Sequence, residues 1–133
     1  MSKLILCLLL LLNIYVCEDS KVRVFTQNDA KNEIKVRLGE EFSIKLRSNP
    51  STGYTWTFLN EEEIKDSLVL LKKDFENPQL GQKPILVGAG GFHNFHFKAL
   101  EVTNGTVPIK LSYSRFWMKT KSIPTTTFKV NVY

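Results

Sequence analysis

Few side chains in this sequence are spaced to do chemistry. The two histidines, His93 and His96, are separated by two residues and have no carboxylate beside them in sequence. Zinc sites draw on three or four ligands, so one His-x-x-His pair is a weak metal signal. His96 shares a strand face with Asn94 and Lys98, the face expected to meet solvent. Glu61, Glu62 and Glu63 read as a solvated charge run rather than a general acid and base. There is no Gly-x-Ser-x-Gly elbow. Both cysteines, Cys7 and Cys17, lie near the N-terminus, so the rest of the chain offers no thiolate as nucleophile or metal ligand. No catalytic group, metal or cofactor is expected.

Three short segments are suited instead to binding by shape. The first is Asn49-Pro50-Ser51-Thr52-Gly53-Tyr54. Pro50 fixes its own φ and drives Asn49 towards an extended conformation. Gly53 permits positive φ before the chain becomes Tyr54-Thr55-Trp56-Thr57-Phe58, a pattern of half-buried strand. A loop so ordered has little freedom to lose on binding. The second is Gly88-Ala89-Gly90-Gly91. It is no dinucleotide fingerprint, since the third glycine would fall at His93 and a strand follows. It is no phosphate loop either, lacking Gly-Lys-Ser/Thr. The third, Arg115-Phe116-Trp117, ends a strand with residue types that often anchor interfaces. Each has a plainer reading: a well-made turn, a flexible hairpin loop, and a tryptophan folded back onto the end of the sheet.

The elements that must position these segments are strands. Apolar residues alternate at Ile34, Val36 and Leu38, at Phe42, Ile44 and Leu46, and at Tyr54, Trp56 and Phe58. The pattern returns at Phe95, Phe97 and Ala99, at Val107, Ile109, Leu111 and Tyr113, and at Phe128, Val130 and Val132. Such runs, broken by Gly, Pro and Asn, indicate antiparallel strands with one buried face, assembled as a sandwich or barrel. Ser67-Leu68-Val69-Leu70-Leu71 reads as a further strand. Asn60 before three glutamates resembles a helix N-cap, for a single turn of helix or a loop. Asn104-Gly105 is expected to turn a hairpin. Asn104-Gly105-Thr106 is also an N-glycosylation sequon.

Residues 1–17 read as a secretory signal peptide, because Lys3 precedes an apolar run from Leu4 to Leu12 that is too short to span a bilayer. Residues 18–133 then form one domain, exported with neither cysteine and hence no disulfide. The whole chain carries a formal charge of +5. Removing residues 1–17 takes one lysine, leaving 17 basic and 13 acidic residues, or +4. The basic residues are scattered, so neither nucleic acid nor, after signal removal, a membrane is an expected partner. A monomer is expected.

Together the three segments resemble the chagasin family of cysteine-peptidase inhibitors. Asn49, Pro50, Ser51, Thr52, Gly53 and Tyr54 match the family's first loop, Asn-Pro-Thr-Thr-Gly-Tyr/Phe, with serine for the first threonine. Gly88, Ala89, Gly90 and Gly91 match its Gly-x-Gly-Gly. Arg115 and Trp117 match its Arg-Pro-Trp, with Phe116 in place of proline. The resemblance covers residues 34–133 and implies an all-β, immunoglobulin-like antiparallel sandwich with three loops at one end. It implies tight, reversible, non-covalent inhibition of papain-like cysteine peptidases. Loop 49–54 would enter the cleft at the catalytic Cys–His pair, with Ser51 and Thr52 nearest. Loop 88–91 would pair its backbone with the substrate groove, so side chains at Gly90 or Gly91 should weaken inhibition yet hardly change the melting temperature. Arg115 and Trp117 would pack beyond the cleft. The rival readings are a secreted adhesion or carbohydrate-binding module and an exported hydrolase. The expected location is the secretory pathway, ending in lysosome-like or phagosomal vesicles or outside the cell.

Overall fold

The computed structural model describes residues 21–78, 90–115, 117 and 125–133. Residues 1–17, expected to be a signal peptide, with Cys7 and Cys17, together with Gly88, Ala89 and Phe116, lie outside the described residues. Among the described residues eight strands form two four-stranded sheets: β1 (Arg23–Phe25), β2 (Glu33–Val36), β3 (Glu41–Ser48), β4 (Tyr54–Phe58), β5 (Leu68–Glu76), β6 (Gly91–Ala99), β7 (Val107–Arg115) and β8 (Thr125–Val132). One sheet has the order β1-β3-β6-β5 and the other β2-β8-β7-β4. This is the expected immunoglobulin-like sandwich.

The alternating residues bury as their period requires. Phe42, Ile44, Leu46, Phe95, Phe97 and Ala99 face inward from one sheet. Ile34, Val36, Trp56, Ile109, Leu111, Phe128, Val130 and Val132 do so from the other. Phe97 stacks on Phe42 at 5.5 Å within its own sheet and makes a T-shaped pair with Phe58 across the core at 5.5 Å. Such pairs lock the facing sheets in one arrangement.

Several expectations need correcting. Leu38 does not join Ile34 and Val36 inside; it is 53% exposed, because β2 ends at Val36 and the chain turns at Gly39, where φ is +82°. Two edge pairings are parallel, β1 with β3 and β2 with β8. Alternation shows which face is buried and not which way a strand runs. Asn104-Gly105 turns no hairpin, because β6 and β7 belong to different sheets and the segment crosses between them. Gly105 takes φ +89°, whereas Asn104 does not take positive φ.

Helix α1 (Glu61–Ile64) is the single turn anticipated, but the Asn60 side chain does not cap it. Its amide donates to the Pro108 carbonyl (2.8 Å) and accepts from Lys110 N–H (2.9 Å). Asn60 is buried against β7, and those backbone groups satisfy it.

A polar network crosses the outer face of the first sheet. His96 Nδ1 meets Ser43 Oγ at 2.6 Å and Nε2 meets Asp74 Oδ2 at 2.8 Å. Asn94 Nδ2 also donates to Asp74 Oδ1 (3.0 Å). That bond, followed by His96 and Lys72, holds the Asp74 carboxyl below its usual range, against a smaller opposing effect of burial. Lys45 does the same for Glu76. At Glu40 burial acts upward, and the bonds from Arg23 and the Arg37 N–H together overcome it. A carboxylate held low contributes stability that is complete above its unfolded pKa and is lost as pH falls through its folded pKa. These carboxylates should therefore leave the melting temperature unchanged between neutrality and about pH 5 and lower it below about pH 4. Asp74→Asn should flatten that acid limb in a thermal-melt series. A parent protein equally stable at pH 3 and pH 6 would contradict this.

Candidate functional site

The loop motifs leave the sandwich at one end. β3 ends at Ser48 and runs into residues 49–53, β4 starts at Tyr54, β6 starts at Gly91, and β7 ends at Arg115. Ser48 pairs with Gly91 and Tyr54 pairs with Arg115, so strand register alone draws the motifs together.

The first loop is tied by its own bonds. Asn49 is extended (φ −127°, ψ 88°), Pro50–Thr52 make a 3₁₀ turn, and Gly53 closes it at φ +82°. Thr52 N–H donates to the Asn49 carbonyl (3.1 Å), and Gly53 N–H to that of Pro50 (3.0 Å). Thr52 Oγ1 donates to the Asn49 carbonyl (2.7 Å), and Ser51 Oγ donates to Asn49 Oδ1 (2.6 Å). Pro50, Ser51 and Thr52 are exposed at the tip. The hydroxyls hold the loop's shape by bonding back to Asn49.

Tyr113, which the sequence marks only as the end of an alternating run, supports this loop. Its hydroxyl accepts the Asn49 N–H at 3.0 Å. Its ring stacks on Trp56 at 5.0 Å and lies 5.3 Å from the Tyr54 ring. Trp56 is buried, as expected, and its Nε1–H donates to the Arg47 carbonyl of the opposite sheet (2.9 Å).

Arg115 and Trp117 do not act separately. Arg115 Nε donates to the Thr52 carbonyl (3.0 Å), and the guanidinium lies 4.7 Å from the Tyr54 ring centre and 5.7 Å from that of Trp117. A cation held between two rings, with its N–H on the first loop, links the two loops. Trp117 is 53% exposed, with the Cη2 end of its indole against Gly53. A Cβ at Gly53 would lie 2.5 Å from Trp117 Cη2. Gly53 is thus required twice, for its positive φ and for this contact.

The glycine segment departs from expectation. Gly91 is no free loop residue but the buried first residue of β6. A Cβ there would collide with the Glu76 carbonyl oxygen and lie 2.7 Å from Phe75 Cζ. At Gly90 it would lie 2.6 Å from the Ser48 carbonyl oxygen. These glycines let three strands converge, so side chains there disturb the fold itself. Gly91→Ala should cost about 1–3 kcal/mol of stability. An unchanged melting temperature would restore the free-loop reading.

The histidines are not simply solvated. His93 is buried beside Phe75 (5.1 Å between rings), and burial holds its pKa below the usual value. Ser43, His96 and Asp74 have the composition of a hydrolase triad, which the sequence did not reveal because three strands contribute them. Ser43 is only 3% exposed, so no acyl group can reach its hydroxyl. Among the described residues no cluster of three His, Cys, Asp or Glu side chains could hold a metal ion.

Residues 35–132 match the family model described as the chagasin family of peptidase inhibitors, I42. The chain belongs to the chagasin family. Amoebiasin-1 of Entamoeba histolytica is 32% identical over 107 residues, 80% of this chain and 96% of that protein. Chagasin of Trypanosoma cruzi is 36% identical over 84 residues, 63% of this chain and 73% of that one. The crystal structure of the Entamoeba histolytica cysteine protease inhibitor EhICP2 aligns with a TM-score of 0.65 at 25% identity, over 84% of this chain and 95% of that one. As a chagasin-family protein the chain is an inhibitor rather than an enzyme, in keeping with the covered Ser43 hydroxyl.

Proposed function

We propose that this chain is a reversible, non-covalent inhibitor of papain-like cysteine peptidases that blocks the active-site cleft with residues 49–54, 88–91 and 115–117. The observation that carries this reading is the linked loop pair. The exposed Pro50–Thr52 tip and the half-exposed Trp117 are held by Arg115, Gly53 and Tyr113 before any partner arrives. Preorganised surfaces of this kind bind with little loss of conformational entropy. Ser51 and Thr52 would lie nearest the catalytic cysteine. Within 88–91, the residues before Gly91 would pair backbone to backbone along the substrate groove, with Gly91 as their anchor in β6. Arg115 would act chiefly from within, fixing Thr52 and Trp117. The export reading rests on the sequence of residues 1–17 and would send the inhibitor to lysosome-like or phagosomal vesicles or outside the cell.

Titration of papain with the purified protein tests the reading. Stoichiometric loss of activity, recovered on dilution with the inhibitor uncut, is the expected result. No inhibition at micromolar inhibitor would leave the fold without this function.

A further inference from the structure

The end of the sandwich opposite the loops carries a site of a different kind. Residues 100–106 cross between the sheets, from the end of β6 to the start of β7. Thr103 fixes this crossing to β8: its N–H donates to the Val132 carbonyl (3.1 Å), and its Oγ1 accepts the Val132 N–H (3.0 Å). The same hydroxyl donates to the Gly105 carbonyl (2.8 Å). Beyond that anchor Asn104 and Thr106 are both exposed, with Gly105 turning between them at φ +89°. A transferase acting on Asn-x-Thr needs the asparagine amide and the threonine hydroxyl on an accessible turn, and both are present.

A second asparagine makes the first more telling. Asn49-Pro50-Ser51 is the other place where a Ser or Thr follows an Asn by two residues. Proline in the middle excludes modification there. That position lies in the inhibitory loop, where a glycan would keep the loop out of any cleft. The nine-residue strands β6 and β7 hold Asn104 roughly 25 Å from that loop, at about 3.3 Å per residue.

We infer that Asn104 carries an N-linked glycan on the pole opposite the inhibitory loops, and that Pro50 keeps Asn49 unmodified. The inference rests on the export reading given above. In the transfer, Asn104 Nδ2 loses one proton and bonds to the anomeric carbon of a lipid-linked oligosaccharide. The bond from that carbon to the diphosphate oxygen breaks, and the polyprenyl diphosphate leaves with the electron pair, the proton passing to solvent. Pro50 then has two uses, stiffening the loop and sparing it from the same transferase.

Translation of the full chain in the presence of rough microsomes tests this, read by protection from added protease and by gel shift. The expected result is a protected chain with one endoglycosidase-sensitive shift, absent from Asn104→Gln. The purified glycoform should inhibit papain within about threefold of that variant. Pro50→Ala should gain a second shift, and its doubly modified form should inhibit at least about tenfold more weakly than the same variant made in bacteria. A protected but unshifted parent overturns the glycan and leaves export standing. An unprotected chain overturns both. A single shift in Pro50→Ala overturns the part assigned to Pro50, and a glycoform that fails to inhibit overturns the assigned geometry.

Discussion

Replacing Trp56 by alanine is expected to remove about 3–5 kcal/mol of folding stability, most of what a domain of this size holds. The indole is 4% exposed, between the sheets and directly beneath the first loop. Three losses coincide in the variant. The apolar surface leaves a cavity that two stiff sheets cannot close. The Arg47 carbonyl loses its donor, and the Tyr113 ring loses its stacking partner. Lys73 Nζ also donates to the Trp56 carbonyl (2.5 Å), so the backbone here already ties β5 to β4 and is poorly placed to move. Trp56→Phe keeps a ring and loses the N–H, and should cost less than half as much. Chemical denaturation measures both. A loss below about 1 kcal/mol for Trp56→Ala would mean that the sandwich does not depend on this contact. Whatever Trp56→Ala protein remains folded should inhibit poorly, because Tyr113 holds Asn49 through its hydroxyl and is itself held by Trp56.

Trp117→Ala should show the reverse pattern. Trp117 is half exposed and its Cη2 end lies against Gly53, outside the buried core, so stability should stay within about 0.5 kcal/mol of the parent. Truncating an exposed aromatic anchor costs about 2 kcal/mol of binding, so the inhibition constant for papain should rise about 30-fold. Most of that should appear as faster dissociation. Gly53→Ala tests whether the loops act as one unit. Its new methyl would strike Trp117 Cη2 and force an unfavourable φ. In a Trp117→Ala background only the backbone strain remains, so the two losses should sum to more than the double variant shows. Strict additivity would separate the loops. If Trp117→Ala inhibits papain as well as the parent does, the third loop has no part in binding and the assignment rests on the other two.

Local physics made much of this protein legible from its residues. The buried faces of β3, β6, β7 and β8 follow from alternation, because a strand sends successive side chains to opposite sides. The first loop's shape also follows locally: proline restricts its predecessor, and a glycine alone takes positive φ without strain. The spacing of the three motifs carried the family. Tertiary structure decided what depends on register between strands distant in sequence. It set Arg115 across from Tyr54, so that a residue expected to face a partner became the link between two loops. It set Gly91 against the Glu76 carbonyl, turning a presumed binding loop into a close backbone crossing. It brought Ser43, His96 and Asp74 together from three strands and buried the hydroxyl on which a hydrolase would depend. Pairing partners and strand direction come from which surfaces fit when the two sheets close, and no short window of sequence contains that information.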